Sequence, residues 1–302
     1  MAKKSHLSAP KWIKWLQDWQ ASHNDEDQVV DEVNAAIAGT DILGVSIESH
    51  FIAPYYAVRG AIQLWQGEQS GWNDVAAFFA IEASRVATHI CFLDEMIAKR
   101  GGKYIDGKMG VAQLQWIAMN SATLMQMTAE AFERSVFAQW LGDRLRQSVL
   151  TNDLLVSYPW KQADFERSWV KVIHVMHGGS ISEADNIFGR QGAFQSILSS
   201  WNDEKAFGLA LSQLCDFHLD NCRSDSHVFA TLPFPFFPVE ILAMLSMRRQ
   251  LGILTPPPLH SLMETPFAQI PRQMPWLDSD HLARRVVARC AREYPVIASI
   301  LS

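Results

Sequence analysis

The chain has 302 residues, 48% hydrophobic and 19% charged, with 16 Phe and 11 Trp. Such a composition fills a large core and excludes an intrinsically disordered chain. A net charge of −6 provides no general basic field for a phosphate backbone, so nucleic acid is not an expected partner.

The basic start, Lys3 and Lys4 followed by Pro10, Lys11 and Lys14, never leads into an apolar run, so no secretion signal is expected. No stretch reads as the roughly 18 apolar residues of a membrane span. Cys91, Cys215, Cys222 and Cys290 form no CxxC pair and suit a reducing compartment, which makes cytoplasm the expected location.

Ser8 and Pro10 predict a cap and first-turn proline for a helix through about Gln20. Trp12, Trp15, Leu16 and Trp19 share one face of it, as a core anchor or, alternatively, an exposed aromatic binding face. A second helix is expected over Asp25–Ala38, its early acids complementing the helix dipole. A third segment runs from about Ser49 to Gln66, and a long helix from Trp72 to Arg100 ends at Gly101-Gly102. These last two form a loosely tetratricopeptide-like hairpin, without a period that recurs three times.

Val111–Leu141 is helical in pattern with a break near Thr128, and Asp143–Trp160 reads as a short helix and a loop. Helices follow near Gln162–His177, Ser182–Phe188, Ala193–Trp201 and Glu204–Cys222. Nine of the 13 prolines crowd into Pro233–Pro275, which predicts irregular backbone over 232–238 and 255–276 around a helix opened by Pro238-Val239-Glu240. A terminal helix occupies about Ser279–Tyr294, with Arg284, Arg285, Arg289 and Arg292 as a solvated face. No alternating strand pattern occurs. The expected fold is all-α, and without a low-complexity linker it is expected to be one multi-helix domain over 1–302.

Chemistry-bearing residues form few recognisable groups. His174 and His177 make an H-x-x-H pair without the Glu and i+4 spacing of a zinc-protease helix. Asp216 and His218 sit in a run with Asp220, Cys222, Asp225 and His227, but residues two apart on a helix point in different directions. Glu82 and His89, two turns apart, read as an internal polar pair. No G-x-S-x-G elbow or phosphate-binding glycine loop is present, and Gly189-Arg190-Gln191-Gly192 is too short to cradle a phosphate. No metal or cofactor is therefore expected, with His174, His177, Asp216 and His218 as the alternative metal ligands.

One segment carries a resemblance: Phe234-Pro235-Phe236-Phe237-Pro238-Val239-Glu240-Ile241-Leu242-Ala243-Met244-Leu245, running on through Arg248-Arg249-Gln250-Leu251-Gly252. It continues in Pro256-Pro257-Pro258-Leu259-His260-Ser261-Leu262-Met263 and Thr265-Pro266-Phe267. Over about Leu232–Pro271 this resembles bacterial immunity proteins of polymorphic toxin systems, and within them the helical immunity family forty-nine. The resemblance implies a cytoplasmic inhibitor, with no cofactor or turnover, that neutralises a cognate secreted toxin by stoichiometric binding. An acidic inhibitor suits a basic toxin surface. Under that reading the contact candidates are Asp25, Glu26, Asp27, Asp31 and Glu32, which also read as a solvated helix face. The alternatives are a helical adaptor for an endogenous protein and a metal-dependent enzyme built on the two histidine-bearing groups.

Overall fold

A computed structural model describes residues 9–99, 121–151, 164–190, 192–222, 229, 231–253, 255, 257–271, 274–275 and 281–302, and every regular element among them is helical. The all-α expectation holds. In chain order the helices are α1 (Ala9–Ser22), α2 (Glu26–Ala38), α3 (Ile42–Trp65) and α4 (Gly71–Lys99). Then come α5 (121–131), α6 (Ser135–Thr151), α7 (Asp164–Met176), α8 (Ile181–Phe188), α9 (Gln195–Ser199) and α10 (Glu204–Asn221). Last are α11 (Val239–Gln250), 3-10 turns at Ser261–Glu264 and Pro266–Ala268, α12 (His281–Glu293) and α13 (Val296–Leu301).

Two compact units divide the chain. The first comprises Met1–Thr88, His218–Pro238 and Ser261–Ser302, and the second His89–Phe217 and Val239–His260.

In the first unit, α3 starts seven residues before the expected Ser49. The Asp41 side chain caps it by accepting from the Leu43 amide at 3.0 Å, and Pro54 lies within it. A proline there forfeits one backbone hydrogen bond, but α3 buries Ile52, Ala53, Tyr55, Tyr56, Ala57 and Val58 around it. Apolar burial on that scale outweighs the lost bond. The backbones of α3 and α4 nearly touch where Gly60 meets Gly71. A methyl group on Gly60 would lie 2.7 Å from the Gly71 carbonyl oxygen, and one on Gly71 would lie 2.6 Å from that of Gly60.

The residues that carry the family resemblance supply much of this unit's aromatic core. Phe236 lies edge-on to Trp12 and Trp65 at 5.7 and 5.4 Å and 4.8 Å from Phe267. Phe234 meets Phe78 at 6.2 Å. Edge-to-face rings add to the area they bury. Trp12 and Trp19 thus act as anchors for α1, whereas Trp15 stays 41% exposed.

Two sequence expectations change here. Arg289 is buried and donates to the Thr40 carbonyl oxygen at 3.3 Å, and Arg285 donates to Asn34 at 2.8 Å. Only Arg284 and Arg292 of the four arginines are exposed. Arginine buries its stem while its planar head serves fixed carbonyls, so helical spacing alone does not make it solvated. The stretch Gly71–Met96 is also long and apolar enough to cross a membrane, with mean hydropathy 1.4, and 83% of that window is packed inside the protein.

In the second unit the break expected near Thr128 falls at 132–134, with Glu133 in the left-handed region at φ 56°. α6 then runs through Asp143, where a new element was expected to begin. The Gly101-Gly102 stop and the expected helix over 111–120 lie outside the described residues, as does the loop over 152–160. Trp169, fully buried, donates from its indole to Gln126 at 2.7 Å and fixes α7 on α5. Back in the first unit, the helix α13 was missed, because Pro295 reads as a terminator yet sits at its N-cap.

Candidate functional site

The residues proposed for metal chemistry have separate settings. His174 is buried beside Phe188, with Nε2 3.6 Å from Glu183 Oε2, whereas His177 Nδ1 lies 3.4 Å from Asp143 Oδ1. Burial lowers the His177 pKa from its ordinary value. Asp216 is exposed and faces His260 at 3.6 Å, while His218 is buried with its ring 4.4 Å from Phe229. Among the described residues no three His, Cys, Asp or Glu side chains are grouped to hold a metal ion. Burial raises the Cys91 and Cys290 thiols to about 11 and Cys215 to about 12, so these three stay protonated and poorly nucleophilic near neutrality.

Other ionisable groups are committed to internal ties. Glu82 accepts from Arg85 Nη2 at 2.6 Å and lies 3.2 Å from His50 Nδ1, so its carboxylate serves those two groups. Burial opposes its charge, but Arg85 and His50 hold its pKa down to about 2. Lys171, also buried, donates to Asp185, to the Gly189 carbonyl and to Gln195 at 2.5, 2.7 and 2.5 Å.

An open feature of the first unit is a cleft of about 370 Å³ between the end of α1, the start of α2 and the first half of α3. Trp19 and His23, one turn apart on α1, stack at 4.1 Å with their planes 12° apart. His23 Nδ1 lies 2.9 Å from the Trp19 carbonyl oxygen, which fixes the imidazole over the indole. Trp19 meets Tyr55 edge-on at 5.3 Å. The Tyr55 hydroxyl donates to Asp25, whose carboxyl is thereby held below the usual carboxylate range. Burial and that carboxylate raise the tyrosine.

Glu32, Glu48, His50, Phe51 and Pro54 complete the lining, which contains no lysine or arginine. Glu48 makes no ion pair among the described residues. Phe51 is 53% exposed, and Ile47, one turn earlier on α3, is 46% exposed. Adjacent exposed apolar residues at i and i+4 form a patch, which a scattered single residue does not.

The five acidic contact candidates divide by helical phase. Asp25, Val29 and Glu32 share the face turned to the cleft. Glu26 instead pairs with Arg59 at 2.9 Å, alongside the bidentate Arg59–Asp74 contact at 3.0 and 2.8 Å. Asp27 and Asp31 are exposed and line no part of the cleft. The sequence reading missed Glu48, His50 and Phe51. The available signal was the apolar pair Ile47 and Phe51 around Glu48, hidden because the helix was started too late.

A second cleft, of about 450 Å³ in the second unit, is lined by Asp164, Arg167, Ser168, Phe188, Gly189, Arg190 and Gly192. Gly189 and Gly192 have φ of 89° and 131°, so this short loop requires glycine at both places. Arg190 projects with 85% side-chain exposure. No family model, curated protein or solved structure matches the chain.

Proposed function

We propose that this chain is an immunity-type inhibitor, which neutralises a cognate secreted protein toxin by direct stoichiometric binding. The observation that carries the reading is the exposed Ile47–Phe51 pair beside a cleft edged by Asp25, Glu32 and Glu48. An apolar centre with a charged rim is the anatomy of a protein contact. Three carboxylates in a lining without lysine or arginine favour a basic partner surface and speed its approach. The resemblance over Leu232–Pro271 supports the same reading from a different part of the chain. Phe234, Phe236, Phe237 and Ile241 of that segment are core residues and bear on fold, whereas Leu251 and Leu259 are exposed.

The test is co-expression of the tagged chain with the product of a neighbouring candidate toxin gene, measuring growth and co-purification. Rescue with a stoichiometric complex is the expected result. Rescue without a complex would replace binding by enzymatic reversal of damage, and failure of both rescue and binding would refute this pairing and favour a helical adaptor.

A further inference from the structure

We infer that the cleft between α1, α2 and α3 receives an arginine side chain, carried on a partner segment with an apolar residue beside it. This rests on the reading of the chain as a protein-binding inhibitor and specifies its ligand chemistry.

Three features point to that occupant. First, the lining carries the carboxylates of Asp25, Glu32 and Glu48 and no lysine or arginine; its two imidazoles are tied, His23 to the Trp19 carbonyl oxygen and His50 to Glu82, so an entering cation meets a surplus of carboxylates. Second, the walls include aromatic rings. Trp19 is stiffened by its stack with His23 and its edge contact with Tyr55, and Phe51 leaves half its surface open. A planar guanidinium stacks on such rings and bonds carboxylates in the same plane, which a lysine ammonium cannot do. Third, Ile47 extends the exposed surface by one turn along α3, beyond the cleft lining. A free small cation would leave it wet, whereas an apolar neighbour on a polypeptide would cover it.

The Tyr55–Asp25 hydrogen bond also fixes one carboxylate before any ligand arrives. A pre-oriented acceptor loses less freedom on binding than a mobile surface acid. Internal ties do not exhaust the site, because Glu48 remains without an ion-pair partner among the described residues and Glu32 accepts only from the neutral Gln28 amide at 2.8 Å.

The test titrates the full chain with the peptide acetyl-Ala-Leu-Arg-Leu-Ala-amide, followed by NMR shifts. The matched peptide with citrulline in place of arginine removes the charge and keeps the shape. A Kd on the order of 1 mM or tighter is expected for the arginine peptide, in the range of a single anchored side chain. The citrulline peptide should bind at least about fivefold more weakly at low salt. Phe51→Ala and Glu48→Gln should each weaken the arginine peptide by roughly three- to tenfold. Melting temperatures should stay unchanged, because both positions are at least partly exposed.

Equal binding of the two peptides, or no arginine binding, would overturn the inference. So would full affinity in both variants. The result is separable from the function test. A toxin complex insensitive to Phe51→Ala and Glu48→Lys would remove the cleft and keep the immunity reading. Arginine binding without toxin rescue would do the opposite.

Discussion

Two buried arginines, one in each unit, are held by different means. In the first, Arg85 is 2% exposed and meets the carboxylate of Glu82, itself nearly enclosed. In the second, Arg248 is 1% exposed but donates to the Thr255 hydroxyl at 2.6 Å and to the Trp201 carbonyl oxygen. Its guanidinium also lies 4.0 Å from the centre of the Phe207 ring. The first arrangement places opposite charges together, so losing one removes the other's charged neighbour. The second surrounds a charge with neutral oxygens and a ring face, so losing the charge strands little. A buried cation therefore does not have one fixed worth.

The largest effect should come from Glu82→Gln, which takes the Glu82 carboxylate away from the enclosed Arg85 and should cost about 3–5 kcal/mol in urea unfolding. Arg248→Met keeps a long apolar side chain against Phe207 and leaves only neutral acceptors, so about 1–3 kcal/mol is expected. If Arg248→Met proves as damaging as Glu82→Gln, the contrast between ionic and neutral burial fails.

Acid titration sharpens the same comparison. The folded-state pKa of Glu82, about 2, lies below its ordinary value of 4.5. Its contribution is therefore present above the ordinary value and lost as pH falls from about 5 towards 2. The gap in stability between wild type and Glu82→Gln should close over that range. The gap between wild type and Arg248→Met should change less there, since Glu204 acts on that guanidinium only through its field and its hydrogen-bond partners are neutral oxygens.

Two glycines give a smaller contrast. Gly60→Ala pushes a methyl group into the Gly71 carbonyl and should cost about 1–3 kcal/mol by forcing α3 from α4. Gly208, inside α10, has open space where a methyl group would go, so Gly208→Ala should stabilise by about 0.5–1 kcal/mol. Thermal melts of both variants decide this, and equal signs would break the expectation.

The smallest effect on stability is expected at the exposed acids. Asp27→Lys with Asp31→Lys should shift unfolding by no more than about 0.5 kcal/mol. It should slow association with a basic partner mainly in low salt, through the long-range field. Glu32→Lys should slow it more and also hasten dissociation, because Glu32 lines the cleft. Identical effects from the two faces would dissolve the distinction that helical phase draws between them.

Helical periodicity made most elements legible. The long apolar pattern around Phe79, Val86 and Leu93 predicted α4 almost to its ends, and Pro238-Val239-Glu240 marked the start of α11. The failures share a physical cause, which is tertiary packing overriding a local signal. The third segment was started at Ser49, but buried Ile42, Val45 and Ser46 carry α3 back to the Asp41 cap. Arg285 and Arg289 looked solvated, but carbonyl and amide acceptors on α2 and just beyond its end receive them. Half of the cleft was readable, since Asp25 and Glu32 were chosen for their charge. The other half depended on where α3 begins, and an error there left out Ile47 and Glu48 and so hid the Ile47–Phe51 pair.

The first unit's discontinuity has a consequence in time. Arg285 reaches Asn34, and Arg289 reaches Thr40, across sequence separations of 251 and 249 residues. A ribosome adds about 5–20 residues per second, so α2 leaves the tunnel roughly 12–50 s before α12 can bind it. During that interval the inner faces of α1–α3, Phe236 and Phe267 included among their absent covers, must wait half-dressed. A nascent chain arrested before α12 should therefore bind chaperones and be cut by protease near α2, and release of the last helices should end both.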